Sequence, residues 1–386
     1  EVELRVVIPS DAGSQAPVQT LFCDKFQVPA ADTWKREEEQ RREKVMTEAK
    51  AKYQYMDVAR GLALLLVMIS HAHGLSSFLI FYYIQIFFII SGYIYKPGRS
   101  YRDNIRRKAK RLLVPYFGYS ALLWCAYALI RRDMGEMKQS LFGIFYSRFC
   151  LYKNATHTEN VYLLDIANGA MWYLTAFFVT CLLFYLIADK CLASAKTMAV
   201  TSVVLVAVTM ALNELPILLP WSMDIVPVAA LLMLVGAWMR RYEFFERKWN
   251  PLWIFVTLAV YVGTVVFNGR LNMSIREYGR FDSFSVPFFL VISLTGSTLC
   301  IWFCKWIGHT KVGSGLAYIG NHTIELMCLH MFGLEMFEVI ASHVITVQEL
   351  TGVAEWIYVA VRVGAAVCGS LLFGVGVSWV KKKRGR

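Results

Sequence analysis

Apolar residues in this chain come in long unbroken blocks, without the one-sided stripe that marks a helix on the surface of a soluble protein. Ten blocks can be marked, at roughly 58–76, 78–95, 112–130, 168–188, 198–216, 223–240, 252–268, 284–304, 318–340 and 355–380. A helix needs about 20 mostly apolar residues to cross a bilayer, and the blocks approach or reach that length. A membrane β-barrel would instead show alternation in segments of about ten residues, which is absent. The pattern predicts an all-α, polytopic transmembrane helical bundle of about ten spans.

The polar positions divide the chain. Residues 1–33 hold Pro9, Pro17 and Pro29 with no sustained period and read as an irregular tail. Residues 34–56 carry the opposite-charge i,i+4 pairs Glu37/Arg41 and Glu38/Arg42, which predict a charged juxtamembrane helix. Neither segment contains the apolar stretch of a signal peptide. The transmembrane domain is expected over 57–380 and a basic tail over 381–386. With the N-terminus inside, 31 Lys and Arg residues fall on inner segments and eight on outer ones, so both termini are expected in the cytoplasm. Two outer connections, 131–167 and 269–283, are longer than geometry needs and contain Asn154-Ala-Thr and Asn272-Met-Ser, which fit a glycosylation pattern.

Composition narrows the class further. With 57% hydrophobic and 18% charged residues, an ordinary soluble domain is excluded. The net charge of +12 follows the inner-loop bias and fits anionic lipid, so no nucleic-acid partner is expected. Nine cysteines are scattered without CxxC or Cys/His ligand spacing, which predicts neither a metal site nor a disulfide framework.

Against this background, ionisable residues at membrane depth stand out, because they are costly to keep there. Arg60 and His71 lie eleven positions apart on the first block, roughly 16 Å along a helix axis. Arg60 falls at the cytoplasmic boundary and His71 beyond mid-membrane. A cation at the inner face suits a phosphorylated donor, and a histidine deeper in suits a general base on a hydroxyl from the other side. Taken alone, Arg60 reads as a boundary anchor; the histidine on the same helix favours a site. Asp57, one turn before Arg60, is placed to pair with it. His73 points away from His71. Lys96 to Arg111 packs eight basic residues into sixteen positions, a run that also serves as a positive-inside anchor. Glu325 and His330 sit in the ninth block, where a helix-to-helix hydrogen bond competes with a catalytic role.

Asp57-x-x-Arg60-Gly61, the Arg60-x10-His71 spacing, Ile86-Phe87-Phe88-Ile89-Ile90-Ser91-Gly92-Tyr93 and the basic stretch from Arg106 to Tyr116 follow in that order. Together they resemble the acyltransferase 3 family of integral membrane acyltransferases, and particularly its fucose 4-O-acetylase-like branch. Met171-Trp172-Tyr173-Leu174 is similar to that family's Trp-Phe-Leu element. Ile319 to Thr323 through His330 is similar to its late His-containing segment. The resemblance covers roughly 55–380.

It implies transfer of an acyl group, usually acetyl from acetyl-CoA as co-substrate, to a sugar hydroxyl of an envelope glycan or glycolipid. No permanently bound cofactor is implied, and the setting would be the bacterial cytoplasmic (inner) membrane. His71 and Arg60 would be catalytic, with support from Asp57, Glu325, His330 and Tyr83. Arg106, Arg107, Lys110 and Arg111 would meet the phosphates of cytosolic acyl-CoA, and Trp172 and Tyr173 would lie on the substrate side. The branch often has His-x-Pro before the Phe-Phe run; here Tyr83 and Gln85 stand in those places. Direct transfer and an acyl-enzyme both stay open, and a carrier or flippase for a lipid-linked sugar is the alternative function.

Overall fold

The computed structural model describes residues 53–73, 83–131, 134–153, 169–269, 279–344 and 350–384. Contacts divide the chain at Lys52 and Tyr53, and the fold below is that of the second unit, Tyr53–Arg386. The predicted tail, nearly all of the predicted juxtamembrane helix, Asn154 and Asn272 lie outside the described residues.

Among the described residues, twelve α-helices form a polytopic bundle. They are α1 (Gln54–Ala72), α2 (Gln85–Tyr93), α3 (Tyr101–Arg131), α4 (Met134–Tyr146), α5 (Trp172–Ala193) and α6 (Ala195–Asn213). Then come α7 (Val226–Arg241), α8 (Pro251–Asn268), α9 (Val286–Ile307), α10 (Lys311–Asn321), α11 (Thr323–Ala341) and α12 (Val353–Arg384). Among the described residues there is no strand, only an isolated bridge between Tyr152 and Ile217. Among the described residues, eight segments are long and apolar enough to cross a membrane. They correspond to eight of the ten predicted blocks. The other two differ for separate reasons. In the second block the described helix is only nine residues long. In the ninth block, α10 and α11 are separated at His322 (φ −105°, ψ 27°), and α11 carries Glu325, Glu335 and Glu338.

Two glycine pairs let helices touch backbone to backbone. A Cβ on Gly61 would sit 1.9 Å from the Leu316 carbonyl oxygen, and one on Gly320 would sit 1.9 Å from that of Asp57. In the same way Gly92 of α2 faces the Met233 carbonyl and Gly236 of α7 faces that of Ile89. Small residues give such close approach in membrane helices, where packing replaces the hydrophobic effect as the force between them.

Polar contacts gather at the two ends of the bundle. At one end Tyr55, Tyr93 and Arg240 all bond the Glu246 carboxylate, and the Lys305 ammonium donates to the Phe245 carbonyl. At the other, Arg362 of α12 donates to the carbonyls of Ala72 and Leu334, each at 3.1 Å, and to the Glu338 carboxylate. This ties down the last turn of α1, next to His71. Nearby His73 pairs with Glu355 at 3.3 Å.

Arg148, counted by sequence among the outer-loop charges, is fully buried. It donates to Ser222 Oγ at 2.8 Å and to Asp224 Oδ2 at 2.7 Å. Both partners belong to the 3₁₀ turn Pro220–Ile225, in which Trp221 (φ 52°) and Ser222 (φ 56°) are left-handed. Non-glycine residues rarely adopt that conformation, and the ion pair helps to hold it. The guanidinium also lies 5.9 Å from the Trp172 ring centre, at the start of α5.

Candidate active site

Arg60 donates to Asp57 Oδ1 at 2.7 Å, the pairing expected from their spacing on one helix turn. Arg60 also lines a cavity of about 310 Å³. Besides α1, four helix groups build its walls. Phe87 and Ser91 come from α2, Lys108, Arg111 and Leu112 from α3, and Tyr173, Leu174 and Phe177 from α5. The break between α10 and α11 supplies the remainder, from Gly320 to Met327. The interrupted backbone borders the cavity, a setting in which a helix break is tolerated. Thr323 Oγ1 satisfies the Gly320 carbonyl at 2.6 Å across the break.

Three cations, Arg60, Lys108 and Arg111, face this space with one carboxylate, Glu325. Among the described residues no hydrogen bond or ion pair engages the charged ends of Lys108, Arg111 or Glu325. The Lys108 ammonium stands 5.0 Å from the centre of the Phe177 ring, a cation–π distance. The surplus of positive charge favours an anion in this space.

Only part of the predicted donor set is here. All four are exposed, but Arg111 lines the cavity whereas Arg106, Arg107 and Lys110 lie outside its walls. Helix geometry explains the redistribution. Buried Asn104, Leu112 and Tyr116 mark the inward stripe of α3, and Lys108 is the basic residue on that stripe at i+4 spacing. Lys108 was within the basic run by sequence, but the inward stripe singles it out.

His71 borders a second, smaller cavity of about 30 Å³, with Val67, Ile84, Phe87, Ala170, Trp172, Tyr173 and Met327. Three residues, Phe87, Tyr173 and Met327, belong to the walls of both cavities. All three are buried, and the Phe87 and Tyr173 rings are 5.8 Å apart. A wall one side chain thick therefore separates the cationic cavity from His71.

His330 packs against His71 with ring centroids 5.5 Å apart. Its Nδ1 lies 2.8 Å from the Leu326 carbonyl and 3.1 Å from that of Met327. Both are acceptors, so Nδ1 carries the proton and Nε2 keeps its lone pair. That Nε2 is buried without a hydrogen-bond partner among the described residues. Tyr83 has its hydroxyl 3.5 Å from Oγ of Ser70, the residue before His71 in sequence. Glu325 and Trp172 are thus on opposite sides of the wall, Glu325 with Arg60 and Trp172 with His71.

The family described as an acyltransferase domain, acyltransferase 3, matches residues 53–375. No curated protein and no solved structure matches the chain.

Proposed function

The chain belongs to the acyltransferase 3 family and is an integral membrane acyltransferase; from the two cavities that meet at one wall, we propose that it carries an acetyl group from acetyl-CoA to a sugar hydroxyl. The acceptor is a glycan or glycolipid of the cell envelope, and the enzyme sits in the bacterial inner membrane with both termini in the cytoplasm. The single observation that carries this reading is the arrangement around Phe87, Tyr173 and Met327, with a cationic cavity on one side and His71 on the other.

Each part has a role that its chemistry supports. Arg60, Lys108 and Arg111 bind the anionic groups of the donor, with Asp57 orienting Arg60. The thioester reaches the wall from that side, and the acceptor hydroxyl arrives on the other. His71 takes the hydroxyl proton as the oxygen attacks the thioester carbon, then returns a proton to the departing thiolate. His330 offers its bare Nε2 beside His71; an N–H of His71 turned toward it leaves the other nitrogen free to act as base. Holding both substrates at one point supplies much of the rate, and no acyl-enzyme is needed.

The competing reading, a carrier for a lipid-linked sugar, is favoured by the α10–α11 break, since transporters use discontinuous helices at their binding sites. One experiment separates the two. Membranes containing the protein are incubated with acetyl-labelled acetyl-CoA, and label in glycan is compared for wild type and His71→Ala. Label with wild type and its loss with His71→Ala supports acetyl transfer. Unlabelled glycan in both sinks that reading, and translocation of unmodified sugar establishes the carrier.

A further inference from the structure

Acyl transfer passes through a tetrahedral species whose oxygen takes on negative charge, and that oxygen needs a donor already in place. Three side chains form the wall shared by the two cavities. Phe87 and Met327 offer no hydrogen. Tyr173 does. Among the described residues its hydroxyl makes no hydrogen bond, yet it is absent from the side-chain atoms sealed away from solvent without a partner. Among the described residues the phenol therefore has no hydrogen bond, and its oxygen is not wholly sealed off although the residue is buried. Buried tyrosines usually find a partner for their hydroxyl, so a free one at a cavity junction is informative. The aromatic body is fixed by Phe87 at 5.8 Å, Phe88 at 5.5 Å and Phe177 at 5.6 Å. Such packing holds the ring where it is and leaves the hydroxyl as its one reactive point.

Resting on the acyl-transfer reading above, we propose that Tyr173 is a catalytic residue which donates its hydroxyl hydrogen bond to the thioester carbonyl oxygen and to the oxyanion that replaces it. The acceptor oxygen forms its bond to the carbonyl carbon while the π pair moves onto the carbonyl oxygen, and His71 takes the hydroxyl proton. The pair then returns, the carbon–sulfur bond breaks, and the thiolate leaves with its electrons and is protonated from His71. Tyr173 keeps its proton throughout. Arg60 lines the same cavity as Tyr173, so its positive charge favours the negative charge developing on the substrate oxygen.

The test is steady-state transfer of label from acetyl-CoA by purified protein in lipid nanodiscs, for wild type and Tyr173→Phe. Phenylalanine keeps the ring and removes the donor. The expected result is a fall in kcat of roughly 10²- to 10³-fold with KM for acetyl-CoA changed by less than about threefold, as for loss of one oxyanion donor. Retention of kcat within about threefold, or a loss confined to KM, overturns the proposal. If Tyr173→Phe unfolds, fluorotyrosines of graded acidity at position 173 replace it. A kcat that follows phenol acidity supports the role, and a flat response overturns it. An inactive wild type would strike the acyl-transfer reading itself, a separate outcome.

Discussion

Gly61 and Gly320 meet where α1 crosses α10, each occupying the space that a side chain on the other helix's partner would need. The backbone nitrogen of Gly320 would lie 3.1 Å from a Cβ on Gly61, and that of Gly61 3.0 Å from a Cβ on Gly320. Arg60 is the neighbour of one glycine, and the cavity-lining break after Asn321 is the neighbour of the other. The crossing therefore sets the distance between the cation and the interrupted helix. Gly61→Ala is expected to lower thermal stability in detergent by about 1–3 kcal/mol, the usual range for overpacking, and to cut transfer further than stability alone explains. Unchanged melting and activity would contradict the close crossing.

Lys108 and Lys110 differ by two positions and by which way they face. Lys108→Gln is expected to raise KM for the acyl donor about 10- to 100-fold, the range for losing a charged hydrogen bond of about 1.5–3 kcal/mol. Lys110→Gln, on the exposed side, is expected to change it by less than about threefold. Equal effects from the two variants would remove Lys108 from the donor site.

The comparison of these two lysines also shows what was readable without a structure. The bundle was readable: eight of ten apolar blocks became helices able to span a membrane, because hydrophobic length is a property of each block alone. The ninth block is legible as apolar, yet two of its three glutamates are carried by partners far along the chain. Tyr127 bonds Glu335, and Arg362 bonds Glu338. The pair Asp57–Arg60 followed from one helix turn. Which lysine faces inward required the period of α3. The wall of Phe87, Tyr173 and Met327 comes from three helices, so no local pattern announces it. Arg148 and Asp224, 76 positions apart, are a pair only in three dimensions.

His330 should be tested by a substitution that keeps its backbone contacts. His330→Asn retains an N–H near the Nδ1 position and deletes the Nε2 lone pair. Expression and melting are expected to stay close to wild type, with kcat reduced at least about tenfold by loss of the partner beside His71. A fully active His330→Asn protein would assign this histidine to packing.

Breaking the Arg148–Asp224 pair leaves a buried charge alone. Arg148→Met or Asp224→Leu is expected to cost about 3–5 kcal/mol of stability, and the double variant less than either. Thermal unfolding in detergent measures all three. A double variant at least as unstable as the worse single one would show that the two residues do not act as a pair.

Met327 is the flexible member of the shared wall. Met327→Ala is expected to enlarge the space beside His71 and shift preference from acetyl-CoA toward butyryl-CoA by about 10-fold or more in relative kcat/KM, since each methylene accommodated in an apolar pocket contributes about 1–3 kcal/mol. Competition between the two labelled donors gives the ratio directly. An unaltered ratio would place the chain-length filter elsewhere.

The same wall has an electrical consequence. Moving one elementary charge across an energised membrane is worth about 2.3 kcal/mol per 100 mV, so a continuous water column through a bundle would drain the ion gradient. Phe87, Tyr173 and Met327 stand where the two cavities would otherwise join. An acyl group handed across that wall is uncharged. In the proposed reaction the acyl group passes from one compartment to the other while the membrane stays insulated. The one proton involved goes from the hydroxyl to His71 and on to the thiol rather than through open water.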